Sequence, residues 1–494
     1  MYRIKMLRKF AKSAKTVKSA NVSQISKPKM REARSEGNKS EHKPKPTKCN
    51  NNIKTKSEHS DFIFFGCWNN INCKKEYVYR DIVLDYISLN ENAIKQLYIA
   101  GDNWYTNERK IGEANFKVYL TDVLTTGYAK LYAMKKDVYI AVGNHDEDKD
   151  GDKGHTLLKK DCNIHTQKYY LRQINEGKLP EEAMPPTLND LQLLALGNQF
   201  ADNSMCEKGI YIYVDDIGVR YNNGNIVIII NTNRFDDYTT GLKYLGSIKA
   251  VIKRVENAKT TEQIFVMGHI PLFDFKPDKT GTANTANADQ IKLHKINKKE
   301  ERYDKIILKL FDLFAAHNIV YICADTHNFS IMRIQRENSV VIQITAGTGG
   351  ADPDLLQTEY AKQPYYVDDG IFNITAYALN PYGYVKIKME ENKRIKVCYT
   401  QIIKDEKDKT SQLGVLPKTN VFTYRVDMNT KTIENTSKAT TTTTATATAN
   451  AKAKSITDME VYMSNKQKVC SHPTAGYITG LKSDVVCYKK NKNK

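Results

Sequence analysis

Two short apolar runs in this chain end in residues able to bind metal or move protons. Leu97-Tyr98-Ile99 runs into Ala100-Gly101-Asp102-Asn103-Trp104-Tyr105, and Val138-Tyr139-Ile140-Ala141-Val142 runs into Gly143-Asn144-His145-Asp146. Each reads as a buried strand that stops at a glycine and then presents a carboxylate, an amide, a phenol or an imidazole. Two further runs end the same way: Ile264–Met267 before Gly268-His269-Ile270-Pro271, and Ile319–Cys323 before Ala324-Asp325-Thr326-His327-Asn328. Singly, a Gly-Asp pair after a strand is a turn or a helix cap, and a lone histidine there is structural. Together the four ends offer oxygen and nitrogen donors for a hard-to-borderline metal site built on loops. A two-metal hydrolytic site, in which a carboxylate bridges ions roughly 3.5–4 Å apart, needs that many donors.

The elements that must position these residues follow from periodicity. Asp61–Phe65 reads as a strand ending in Gly66-Cys67-Trp68. Val78, Ile82, Val83, Tyr86 and Ile87 recur at helical spacing between Glu76 and Leu89. The Leu97 strand follows, then a helix near Ala114–Thr125, then the Val138 strand. Further along come strands at Tyr211–Val214 and Ile226–Ile230, the latter followed by Asn231, and a helix near Leu242–Val255. A helix through Ile306, Ile307, Leu310, Phe311 and Phe314 precedes the Ile319 strand, and Val340–Ile344 leads into Thr345-Ala346-Gly347-Thr348-Gly349-Gly350. The last globular strands are expected at Gly383–Lys388 and Ile395–Tyr399. Strand–helix alternation of this kind is α/β, and ligands then collect at the carboxyl ends of the strands, where all the opening motifs sit.

Composition narrows the choices. The net charge of +19 looks like a nucleic-acid signature until it is located. Residues 1–58 hold 17 Lys/Arg against 4 Asp/Glu, residues 451–494 hold 9 against 3, and the segment between them balances at 49 of each. The charge belongs to the tails, so no specific nucleic-acid binding is predicted for the core. Nine cysteines without a CxxC spacing exclude a disulfide framework and a cysteine-cluster zinc site, and fit a reducing compartment. No run of 18 apolar residues and no secretory h-region is present, so an intracellular, cytoplasmic setting is expected. Leu7, Phe10, Ala14 and Val17 alternate with Lys5, Lys9, Lys12 and Lys15, a pattern shared by mitochondrial-type presequences and by helices on anionic membranes. The plainer reading, a disordered basic tail able to meet an acidic partner or an anionic membrane, is adopted for residues 1–58.

The resulting organisation is a basic tail (1–58), a catalytic domain (59–405), an extension (406–435), a Thr/Ala/Asn low-complexity linker (436–454) and a second basic tail (455–494). Residues 147–165 and 276–302 are polar loops. Asp146-x-Asp148-x-Asp150-Gly151 opens like an EF-hand, but Leu157 occupies the twelfth position, where that loop needs glutamate, so calcium binding of that type is excluded.

Gly101-Asp102-Asn103-Trp104-Tyr105, Gly143-Asn144-His145-Asp146 and Gly268-His269-Ile270-Pro271, in this order, resemble the calcineurin-like metallophosphoesterases. The tyrosine in the first of these motifs resembles the small purple acid phosphatases within that group. The resemblance spans about residues 60 to 400 and implies a four-layer αββα sandwich. It implies one ion held by position 67, Asp102, Tyr105 and His327, and a second held by Asp102, Asn144, His269 and position 325. Asp102 would bridge, and His145, oriented by Asp146, would protonate the leaving group. The implied reaction is phosphomonoester hydrolysis by attack of a metal-bound hydroxide on a phosphorylated substrate whose type the sequence does not mark.

Two positions depart from the family pattern. Cys67 stands where the family has an aspartate, and Asp325 replaces the first histidine of the last motif while His327 remains. Asp325 tilts its half of the site toward Mn²⁺, Mg²⁺ or Fe²⁺, whereas a Cys67 thiolate favours Zn²⁺ or Fe²⁺ over ferric ion. The cofactors implied are thus two divalent or mixed-valence ions drawn from Fe, Zn and Mn. A protonated Cys67 would leave its ion three protein ligands. That possibility motivates an alternative, a catalytically impaired pseudophosphatase of the same fold serving as a binding or scaffold protein.

Overall fold

In the computed structural model, Phe62 and Phe64 point to one side of the first strand, and Ile63 and Phe65 to the other; all four are buried. A strand apolar on both faces must be covered on both, and the architecture supplies two covers. The structure describes residues 61–70; 79–146 apart from 104, 106–126 and 129; 210–277 apart from 214–216, 223 and 258–262; 289–293; 302–403 apart from 369; 418–437; and 441–442. All of them fall in one unit, Lys54–Lys494. The helix expected near Ala114–Thr125, the polar loop 147–165 and both basic tails lie outside the described residues.

Strand β1 (Phe62–Phe65) leads to helix α1 (Tyr79–Asn90), then to β2 (Gln96–Ala100), β3 (Asp137–Ala141) and β4 (Ile210–Tyr213). These strands lie parallel in the order β1-β2-β3-β4. Next come β5 (Gly218–Asn222), β6 (Asn225–Ile229), helix α2 (Tyr238–Glu256) and β7 (Gln263–Met267). A hairpin of β8 (Phe273–Pro277) and β9 (Asp289–Leu293) begins ahead of the segment expected to be an exposed insertion, 276–302, and runs into it. Helix α3 (Arg302–Ala316) precedes β10 (Val320–Cys323), β11 (Phe329–Arg336), β12 (Ser339–Ala346), β13 (Tyr360–Asp368) and β14 (Asn373–Leu379). The chain returns to the first sheet with β15 (Gly383–Glu390), β16 (Arg394–Ile403), β17 (Lys418–Asp427), β18 (Thr432–Asn435) and the short β19 (Thr441–Thr442).

One sheet runs β18-β17-β16-β15-β1-β2-β3-β4, with β19 on β17, and the other runs β13-β14-β11-β12-β10-β7-β6-β5. Their inner faces meet in a single core. Phe62 packs edge-on against Phe265 at 5.2 Å, and Phe329 stacks on Tyr399 at 4.4 Å. Outer-face residues Ile63, Phe65, Leu97 and Ile99 pack on Val83, Leu84 and Ile87 of α1. On the far side, Ile226, Ile228 and Val266 pack on α2 and α3. The order of layers is therefore helix, sheet, sheet, helix, as expected.

Strand formation extends past the last expected strand at Ile395–Tyr399, because β17 and β18 add two more to the same sheet. Their alternation is hidden in the sequence by polar partners: Tyr424 and Val426 face the core between Thr423, Arg425 and Asp427. Helix α1 is described from Tyr79, and the first residues of the span expected for it, 76–78, lie outside the described residues. Helix α2 begins four residues earlier than Leu242, where the Asp237 carboxylate caps it by accepting from the Thr240 N–H at 2.7 Å.

Candidate metal centre

Six parallel strands, β1, β2, β3, β6, β7 and β10, end along one edge of the sandwich. The loops leaving β1, β2 and β10 turn sharply. Cys67, Asp102 and Asp325 hold positive φ of 51°, 52° and 59°. Such backbone is costly for residues with a side chain and is kept where the surroundings fix it. Here main-chain bonds fix it: Cys67 N–H to Gly101 O (3.0 Å), Ala324 N–H to His269 O (2.9 Å) and Ala351 N–H to Cys67 O (2.9 Å). Gly143 is required by proximity, since a side-chain carbon there would overlap the Asp102 backbone nitrogen and Oδ1.

Asp102 lies at the centre and is 1% exposed. Its Oδ2 accepts from the Tyr105 hydroxyl at 3.0 Å and faces Cys67 Sγ at 3.8 Å; the same hydroxyl is 3.2 Å from His327 Nε2. Its Oδ1 lies 3.2 Å from His269 Nε2, which is 2.9 Å from Asn144 Oδ1 and 3.6 Å from Asp325 Oδ1. The predicted donors thus gather as two sets, one on each oxygen of a single carboxylate. Donor atoms of Cys67, Asp102 and His269 all fall within 4.8 Å of one another.

The second set has a charge requirement of its own. His269 Nδ1 lies 2.7 Å from Ala100 O, so Nδ1 carries a proton and donates it. Nε2 then faces three oxygen acceptors, an arrangement that is repulsive unless a proton or a cation sits there. Burial alone would push the His269 pKa down, but the Asp102 and Asp325 carboxylates raise it well above its usual value. Burial likewise pushes Asp102 up, and the charge and hydrogen bond of His269, with the charge of His145, overcome this to leave its pKa at about 2. A divalent ion replacing the Nε2 proton satisfies the same oxygens.

In the first set, Cys67 and Tyr105 are neutral. Burial, followed by the Asp102 and Asp325 charges, raises the Cys67 pKa well above the thiol norm, against hydrogen bonds from Tyr105 and the Asp325 backbone. Burial, Asp102 and Cys67 raise that of Tyr105 in the same way. Both groups keep their protons until a cation takes them, so an ion entering here releases protons.

His145 and Asn144 are exposed at the rim, and the His145 backbone N–H donates to Asp102 Oδ1 at 3.1 Å. Asp146 is fully buried beneath them. Its carboxylate accepts from Gly143 N (2.7 Å), Asn103 N (3.0 Å) and Asn103 Nδ2 (2.8 Å), tying the β2 and β3 loops together. Trp68 Nε1 donates to Asn103 Oδ1 at 3.0 Å, bringing the β1 loop into the same network.

Two further residues belong to the site without having been singled out from sequence. Asn233 Nδ2 donates to Gly143 O at 2.9 Å, bridging from the second sheet to the β3 loop. The signal was Asn231 at a strand end, since Asn231 Oδ1 accepts from the Asn233 N–H at 3.0 Å and seats it. Lys276 Nζ lies 3.5 Å from Asp325 Oδ2, in a stretch whose sequence looks like a solvated loop.

A family model for calcineurin-like phosphoesterases matches residues 61–329, more than half of the chain. The chain belongs to the calcineurin-like phosphoesterases. No curated protein matches the sequence. Among solved structures, one described as GAP50, the anchor in the inner membrane complex of Plasmodium, aligns at 11% identity with a TM-score of 0.37, over 78% of this chain and 90% of that one. At that degree of overlap the likeness adds nothing to the assignment. The metallophosphoesterase family generally binds divalent metals, and the cluster at Asp102 offers donors suited to them. No helix among the described residues is long and apolar enough to cross a membrane.

Proposed function

We propose that this chain is a phosphomonoesterase that works with two cations, one on each side of Asp102, in the manner of the small purple acid phosphatases that its Gly101–Tyr105 motif resembles. The observation that carries this reading is the division of the donors: Oδ2 of Asp102 with Cys67, Tyr105 and His327, and Oδ1 with His269, Asn144 and Asp325. The donors fit borderline divalent ions such as Zn²⁺, Fe²⁺ or Mn²⁺. Bound ions supply Lewis acidity toward a phosphoryl group and toward water. The protein's own part is positional. His145, exposed at the rim and fixed through its main chain to Asp102, delivers a proton to the departing alkoxide. Asp146 and Asn233 hold the loop that carries it.

A second reading, an impaired phosphatase that binds rather than hydrolyses, is favoured by one observation: Cys67 is a buried neutral thiol donating toward Asp102. Elemental analysis and p-nitrophenyl phosphate hydrolysis on the full chain and on Cys67→Asp separate the two. Two ions per chain with turnover in the natural protein are expected. Fewer ions and no turnover, with both recovered in Cys67→Asp, overturn the enzyme reading in favour of the second.

A further inference from the structure

Asp325 divides its carboxylate between two nitrogens. Oδ1 lies 3.6 Å from His269 Nε2, and Oδ2 lies 3.5 Å from Lys276 Nζ. The carboxylate cannot move far, because its backbone is held in a left-handed turn between buried Ala324 and Thr326. The root of Lys276 is fixed as well. Strand β8 is stitched to the same loop by the two residues just before that position: Thr326 Oγ1 donates to Asp274 Oδ1 at 2.8 Å, and Asn328 Nδ2 donates to Phe275 O at 2.7 Å. The ammonium end is the more accessible of the two, since the Lys276 side chain is 40% exposed against 17% for Asp325. A partly exposed cation on a fixed strand thus faces a fixed carboxylate that is also a donor of the proposed second ion site.

We propose that Lys276 is a tethered cation for that half of the centre, competing with a metal ion for Asp325 and thereby setting its affinity. The inference rests on the two-ion reading above. When an ion takes Asp325, the ammonium swings toward solvent, a route its exposure leaves open. An ammonium about 6 Å from a divalent ion in a water-like dielectric opposes it by roughly tenfold in binding constant. Arginine at this position keeps the charge, and methionine keeps the apolar stem without it.

The test is isothermal titration of MnCl₂ into metal-stripped full-length chain for the natural protein, Lys276→Met and Lys276→Arg. Thermal unfolding of each in EDTA verifies that the half-exposed position tolerates the change. Lys276→Met is expected to bind the weaker ion about tenfold more tightly, or to gain a second ion where the natural chain binds one. Lys276→Arg is expected to stay within threefold of the natural chain. Unchanged or weaker binding in Lys276→Met, with Mn²⁺ still bound by the natural chain, overturns the competition and leaves the two-ion reading standing. Binding of no Mn²⁺ by any of the three chains overturns both.

Discussion

Replacing Asp146 tests the claim that one buried carboxylate holds the two central loops in register. Asp146→Ala deprives the Gly143 N–H, the Asn103 N–H and the Asn103 side-chain amide of their acceptor, at sites where water does not reach. Each buried donor left unsatisfied costs about 1–3 kcal/mol. Part of that is offset, because the variant no longer dehydrates a carboxylate, which leaves an expected loss of about 3 kcal/mol. Against a whole-domain stability of about 5–15 kcal/mol, that loss is large. Asp146→Asn keeps one acceptor oxygen of the same shape and should lose about half as much. Urea unfolding followed by tryptophan fluorescence measures both. The chain has two tryptophans, so a Trp104→Phe background leaves Trp68 as reporter, and Trp68 Nε1 is bonded to the Asn103 amide within the same network. Asp146→Ala should therefore red-shift the native emission as well as lower the midpoint. A variant within about 1 kcal/mol of its parent, with unchanged emission and slope, would refute the tie between loops.

Asn233→Ala removes the donor on the Gly143 carbonyl and should cost about 1 kcal/mol of stability. It should lower kcat about tenfold with little change in KM, since Asn144 and His145 shift relative to Asp102; a kcat within twofold of the natural chain would contradict this. The pH dependence of thermal stability should change sign with metal. In metal-stripped protein the folded-state pKa of His269 is raised, so its contribution is complete below the unfolded value of about 6.5 and is lost as pH rises toward the folded one. With saturating Mn²⁺ that nitrogen is a ligand and binding releases protons, so stability should rise over the same interval. Unfolding temperatures from pH 6 to 8.5 with EDTA or MnCl₂ check it, and a flat metal-stripped curve would remove the role given to His269.

Much of this was legible in sequence because the site is local at each strand end. Asp102, Asn144, His269 and His327 each follow an apolar run directly, so the strands that place them could be read from the same few residues. The α/β alternation was legible because α1, α2 and α3 carry 3.6-residue periodicity, whereas the helix–sheet–sheet–helix layering came from the family resemblance. What could not be read depends on partners distant in the chain. Lys276 reaches Asp325 only because β8 is stitched to the β10 loop, and the intervening sequence looks like any solvated lysine-rich segment. Asn233 acts across the gap between sheets, on a carbonyl that no sequence pattern marks. Strands β17 and β18 were missed because an edge region alternates aromatic with charged residues, which is also what an exposed loop can do.

The two departures from the family pattern are neighbours, and their electrostatics belong together. Asp102, His269, Asp325 and Lys276 form a chain of alternating charge, with contacts of 3.2, 3.6 and 3.5 Å. Two negative and two positive groups leave that chain balanced before any ion arrives. Cys67 touches its inner end and remains neutral, its proton directed at Asp102 while the Asp325 amide donates to its sulfur. An aspartate at position 67 would add a third carboxylate to a buried site whose cations are already engaged, and only a bound ion could neutralise it. Cys67→Asp should therefore make folding depend on metal where the natural chain does not, whatever it does to turnover. The thiol and the lysine-paired carboxylate act in the same direction, allowing the site to keep its shape without an ion while still offering donors to one.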